Sequence, residues 1–279
     1  MKRLATVLLA TTVLVLGGAR ALAQTDDDPK TLAAHAVDNL KQGHPAEAIA
    51  DFEALADRGV VDANMSFDRG LAYAERIRVG GEKPGDLGLA AHGFEEARAL
   101  TTDPAVRDQA TRALTILRAE VGRRRARAGN PIDLEPTPRL RDAIVGALAE
   151  DTWCILALFA SFIVGAGLFV RWLTKLRRIE IAANVTIAIA APLFLGASIG
   201  AFAARDIRLH RIEAVVVSST ARPCDAAGIA LPNAEVLPEA ARVQLMAENA
   251  GWSEVRWGAL DAWLPSSALR TIDKPPAAP

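Results

Sequence analysis

Hydrophobic and polar positions along this chain fall into blocks of different period. An apolar run, Leu4–Leu16, follows Lys2 and Arg3 and ends near Ala21-Leu22-Ala23. A positive start, an uncharged stretch and small residues at its end are the pattern of a secretory signal. Residues 1–23 are therefore read as a signal peptide, with the mature chain beginning near Gln24. An uncleaved anchor helix is the other reading, and either one sends residue 30 onward across the membrane. No cysteine follows the run, which argues against a lipoprotein. Residues 29–121 are alanine-rich with a helical period and predict packed helix pairs, followed by a linker over 122–150 that is proline-rich at 129–138. Residues 152–170 and 181–204 carry no charge. Each is long enough for a helix to cross about 30 Å of hydrocarbon. From Ile212 the pattern turns β-rich, with short stretches at 213–217, 231–238, 242–246, 251–256 and 261–265. About five short strands separated by turn residues predict a small barrel over 212–272 and a disordered tail over 273–279.

Within the helical block the spacing Ala48-x3-Phe52 recurs as Ala90-x3-Phe94. Small residues let two antiparallel helices approach, and the aromatic fills the space between turns. Gly70, Tyr73 and Ala97 complete the candidate packing set. Aligning these positions starts one unit at Pro29 and the next at Ala63, 34 residues on. This resembles the tetratricopeptide repeat. The departures are an insertion at Val79–Leu87, and Ala36 and Asn39 where the repeat favours a glycine and an aromatic. Asp103-Pro104 opens a further helix to about Val121, expected to cover the end of the stack. Arg123, Arg124, Arg125 and Arg127 follow, read either as cations at a helix C-terminus or as contacts to anionic lipid.

The two apolar runs predict a membrane hairpin. Its connection, 171–180, carries Arg171, Lys175, Arg177 and Arg178, and such a short basic turn belongs in the cytoplasm. Export of the repeat domain forces the same orientation, so both flanking domains are expected in the periplasm. Ser161 and Gly165 in one run, and Gly196 and Gly200 in the other, are spaced i, i+4 and suit either packing within the hairpin or dimerisation. Neither run holds an ionisable residue, which argues for an anchor rather than a transporter.

In the β-rich block, the order Leu237-Pro238-Glu239-Ala240-Ala241-Arg242-Val243, then Gly251-Trp252-x2-Val255, then Ala262-Trp263-Leu264-Pro265 resembles a bacterial SH3 domain. Ala240 stands where a turn glycine is common, and Ala262 where a glycine is usual. Trp252 and Trp263 either pack the barrel or form a ligand platform, and Trp257 is the better surface candidate.

Composition adds little chemistry. Hydrophobic residues make up 51% and charged residues 23%, with a net charge of -1, so nothing points to nucleic acid. Cys154 lies in an apolar run and Cys224 in a polar stretch, where a surface thiol without a partner base is expected. His35, His44, His92 and His210 form no metal-ligand spacing, and no nucleophile elbow, phosphate loop or dinucleotide motif occurs. No catalytic residue, cofactor or metal site is assigned, and the chain is read as a non-enzyme. The order of signal, repeats, two membrane helices and SH3-like domain resembles the BatE-type aerotolerance (Bat) proteins. That resemblance implies an inner-membrane scaffold or adaptor, with von Willebrand factor A-type membrane proteins and a MoxR-type ATPase as companions. A cell-wall sensor or anchor that holds peptidoglycan through the SH3-like domain is the alternative.

Overall fold

The computed structural model describes residues 28–131, 134, 139–174, 176–232 and 234–273. The signal assigned to 1–23, the turn residue Lys175 and the tail from residue 274 lie outside the described residues. The chain divides into two compact units, one ending at Val61 and one beginning at Asp62.

The first unit holds α1 (Pro29–Lys41) and α2 (Pro45–Asp57). Both begin with proline, whose missing N–H costs nothing in a first turn. The short link through Gly43, at positive φ, folds them back on each other. Ala36, Ala48, Ile49, Phe52 and Leu55 are buried.

The second unit opens with α3 (Ala63–Arg78), α4 (Asp86–Leu100) and α5 (Pro104–Arg127). Asp62 caps α3 by accepting from the N–H groups of Asn64 and Met65, and Asp103 caps α5 through Ala105 N–H. Helices α3 and α4 run antiparallel, with Ser66 opposite Glu96 and Arg76 opposite Asp86. They come closest at Gly93, where a Cβ would stand 2.7 Å from both Gly70 N and Ser66 O. Helix α5 continues past Val121 to Arg127. Arg123, Arg124 and Arg127 all pair with Glu120, and Arg124 also reaches Glu82.

A short α6 (Leu140–Gly146) precedes α7 (Glu150–Leu173) and α8 (Arg177–His210). Both α7 and α8 are long and apolar enough to cross a membrane. They form an antiparallel pair with Glu150 on Arg208 at one end and Arg171 on Asn184 at the other. Trp153 lies against Gly200, and Ile187 against Gly167. Gly165 and Gly196 meet nothing, and Ser161 is exposed. The close approach within the pair thus uses Gly200 from the expected set together with Gly167. Phe162, Phe202 and Trp172 are about three-quarters exposed or more, an outward apolar surface that water would penalise.

The β-region is an open antiparallel sheet ordered β4-β3-β2-β1-β5, not a closed barrel. Its strands are β1 (Ile212–Val216), β2 (Arg242–Asn249), β3 (Trp252–Trp257), β4 (Leu260–Pro265) and β5 (Leu269–Thr271). The described part of 231–238 is a loop rather than a strand. Pro232 and Pro238 have no N–H to give a ladder, and Leu237 enters the core with its N–H on Ala221 O, 2.8 Å. The fifth strand is instead β5, which returns through a 3-10 turn to pair with β1. Ala214, Val216, Leu237, Val243, Val255 and Leu264 form the core on one face.

Candidate functional site

Helix α4 has no solvent face over most of its length. One side packs on α3. The other meets the sheet, so Leu87–Ala97 is buried almost without a break. Strand β1 feels the same contact. Ala214 and Val216 point into the sheet core, while Val215, on the opposite face, is also fully buried. The approach depends on two glycines. A Cβ on Gly88 would stand 2.5 Å from Val217 Cα, and one on Gly85 would stand 2.9 Å from Val217 O. Glu239, from the loop before β2, accepts a hydrogen bond from Gly88 N–H at 2.9 Å and so caps α4 from outside its own segment. Burial nevertheless holds the Glu239 carboxyl above the usual carboxylate range, against the stabilising N–H bonds from Gly88 and Leu87.

Charged side chains are buried along this seam. Glu96 accepts from the Ser66 hydroxyl at 2.6 Å and from Arg69 at 2.7 Å. His92 uses both ring nitrogens. Its Nε2 lies 2.7 Å from Thr271 O, which only an N–H can serve, so Nδ1 is left to accept from Arg69 at 3.2 Å. Glu95 gathers Arg98 at 2.5 Å, Arg118 at 2.7 Å and Arg242 at 3.9 Å, from α4, α5 and β2. A buried carboxylate is tolerable only with such partners. Apart from His92 and Arg242, none of these residues was singled out from the sequence. The available signal was glycine at 88 and 93 on one helix, which implies close neighbours on two sides.

Beside Glu95 opens a cavity of about 680 Å³. Its floor is the outer face of the sheet, with Glu213, Arg242, Gln244 and Arg256. Arg98 and Arg118 wall it from the helices, Arg139 and Asp142 from the start of α6, and Arg211 from the end of α8. Asp261 joins the rim through Arg256 at 2.7 Å and Arg139 at 2.9 Å. The hydrogen bond from Arg256, helped by that from Arg139, holds the Asp261 carboxyl below its ordinary value. The arrangement offers clustered guanidinium donors in a partly enclosed space.

Ala48 and Phe52 are buried in the first unit, and Gly70, Tyr73, Ala90, Phe94 and Ala97 are buried in the second. The three tryptophans separate by strand parity. Trp257 shares the face of Val255 and packs on the core with its indole nitrogen buried, so it is not the surface aromatic of the three. Trp252 and Trp263 lie on the opposite face with Pro265, half-buried, and the loop at Gly228 reaches the Trp252 ring. Cys224 is not a surface thiol. It is buried and exchanges both backbone hydrogen bonds with Trp263. Arg171, Arg177 and Arg178 sit at the facing ends of α7 and α8. No cluster suited to a metal ion occurs among the described residues. No family model, curated protein or solved structure matches this chain.

Proposed function

We propose that the chain is a non-enzymatic adaptor anchored in a bacterial inner membrane. Its α7–α8 hairpin spans the bilayer, and its head carries repeat-like helices and an SH3-like sheet. One observation carries this reading. Segments before and after the hairpin touch directly, through His92 on Thr271 and Gly88 on Glu239. Two spans return the chain to the side it left, and the seam requires that return. The basic turn at Arg171–Arg178 favours the cytoplasm for the other end, so the head is periplasmic. In a Bat-like setting its companions would be von Willebrand factor A-type membrane proteins, and a cytoplasmic MoxR-type ATPase would reach only the turn. Peptidoglycan binding is the second reading, favoured by the half-buried Trp252, Trp263 and Pro265 on the outer sheet face.

Topology tests the first reading. Cys224 is too buried to report, so single cysteines are placed in a Cys154→Ala, Cys224→Ala background. Asp108→Cys on α5 and Ala226→Cys beyond the hairpin should both react with a membrane-impermeant maleimide in spheroplasts. Leu176→Cys should react only after lysis. Opposite behaviour of Asp108→Cys and Ala226→Cys would sink the reading. Sacculus binding that disappears with Trp263→Ala would favour the peptidoglycan reading over protein partners.

A further inference from the structure

We infer that the arginine-walled cavity between the outer sheet face and helices α4, α5 and α6 is a binding site for a phosphate-bearing group. Six guanidiniums, of Arg98, Arg118, Arg139, Arg211, Arg242 and Arg256, converge on it. Four carboxylates face them: Glu95, Asp142, Glu213 and Asp261. With Glu254 also acting on Arg256, positive charge is still in excess by one within one partly enclosed space, although the whole chain is at -1. Arginine presents planar paired donors that match phosphate oxygens, and it stays charged at any physiological pH. At about 680 Å³ the space suits a small ligand rather than a protein segment.

The position of the cavity indicates one source of such a group. Arg211 follows α8 directly, and Arg139, Asp142 and Gly146 belong to the start and end of α6. Helix α6 is tied to the first turn of α7 by Trp153 Nε1 donating to Val145 O at 3.2 Å. The cavity thus lies where the head meets the ends of both apolar helices, the level at which a phospholipid headgroup would sit if α7 and α8 cross a bilayer. A soluble phosphate ester has the same chemistry and is the other source. Phosphate recognition itself does not rest on the adaptor reading. Only the lipid source rests on the spanning hairpin.

The test uses full-length protein in nanodiscs, which expose both faces and so do not depend on orientation. Glycerol phosphate is titrated calorimetrically, first in discs of a galactolipid, which carries no phosphate. Saturable binding is expected. Arg211→Gln combined with Arg256→Gln should weaken it about tenfold or more, the loss of charge-assisted hydrogen bonds. Arg98→Gln, on the helix wall and outside the Asp261 cluster, should weaken it separately in case the double variant is misfolded. Arg124→Gln, outside the cavity, should leave it unchanged. Adding phosphatidylglycerol to the discs assigns the source: suppressed titration places a lipid headgroup in the cavity, and unchanged titration assigns it to a soluble ester. No saturable binding in galactolipid discs, or an equal loss in Arg124→Gln, overturns the proposal.

Discussion

The α1–α2 and α3–α4 pairs carry the same Ala-x3-Phe spacing and treat their polar residues in opposite ways. Ala48 and Phe52 in one, and Ala90 and Phe94 in the other, are buried alike. In the first pair the polar contacts lie at the surface, with Asp51 bonded to His35 at 2.8 Å and to Asn39 at 3.0 Å. In the second pair Ser66, Arg69, His92, Glu95 and Glu96 are all buried. The repeat spacing encodes only the face that one helix turns to its partner. The far face of α4 is set by the sheet that docks on it, and polar groups enclosed between α3, α4 and that sheet must find partners within the protein.

The largest expected contrast follows from that difference. Glu96→Ala leaves Arg69 buried without its carboxylate and should cost about 3–5 kcal/mol. Asp51→Ala, in a pair whose histidine is mostly exposed, should cost at most about 1 kcal/mol. Denaturation of the full-length protein, with hydrogen exchange to resolve the two pairs, measures both. Equal losses would break the comparison. The shared face should instead respond equally: Phe52→Ala and Phe94→Ala should each cost about 3–5 kcal/mol, because both rings are fully enclosed. Unchanged melting of either would remove that ring from the packing.

The seam itself gives the next effect. Gly88→Ala pushes a methyl group against the β1 backbone and should cost about 1–3 kcal/mol. Faster amide exchange is expected at α4 and β1, with α1–α2 unaffected. Unchanged exchange at 212–217 would mean that the glycine is not what permits the contact.

A smaller effect depends on pH. Glu239 has its folded carboxyl raised above the ordinary value of 4.5. Its stabilising contribution is then complete below 4.5 and is lost as pH rises through the raised folded value. Glu239→Gln keeps an oxygen for Gly88 N–H and removes the titration. The variant should therefore gain on the parent protein as pH rises from acid to neutral, read as the difference in melting temperature. A constant difference would show that Glu239 has the same affinity for protons folded and unfolded.

The smallest expected effect is local. The β2–β3 turn places Ala250 at φ 48 and Gly251 at φ 85, a pair of left-handed positions. Asparagine tolerates that region better than alanine. Ala250→Asn should gain about 0.5–1 kcal/mol without altering the seam. A loss would mean that the turn is held by contacts other than its own backbone preference.

Much of this architecture was legible in residue order. Helix pairing followed from Ala and Phe spacing, since the period of an amphipathic helix is fixed by its 3.6-residue turn. The apolar runs at 152–170 and 181–204 lie within α7 and α8, because length and the lack of charge are local properties. Other features had no local signature. Parity alone set Trp257 beside Val255, but which face of β3 meets the core depends on β2 and β4 pairing around it. Strand β5 is three residues long, too short to show a pattern, and exists because β1 offers it a free edge. The buried charges of α4 and the arginine-walled cavity bring together residues on opposite sides of the hairpin in sequence. A chain can state which residues are apolar and how often they recur. Which charged side chains must share one dry space is decided only when distant segments close over them.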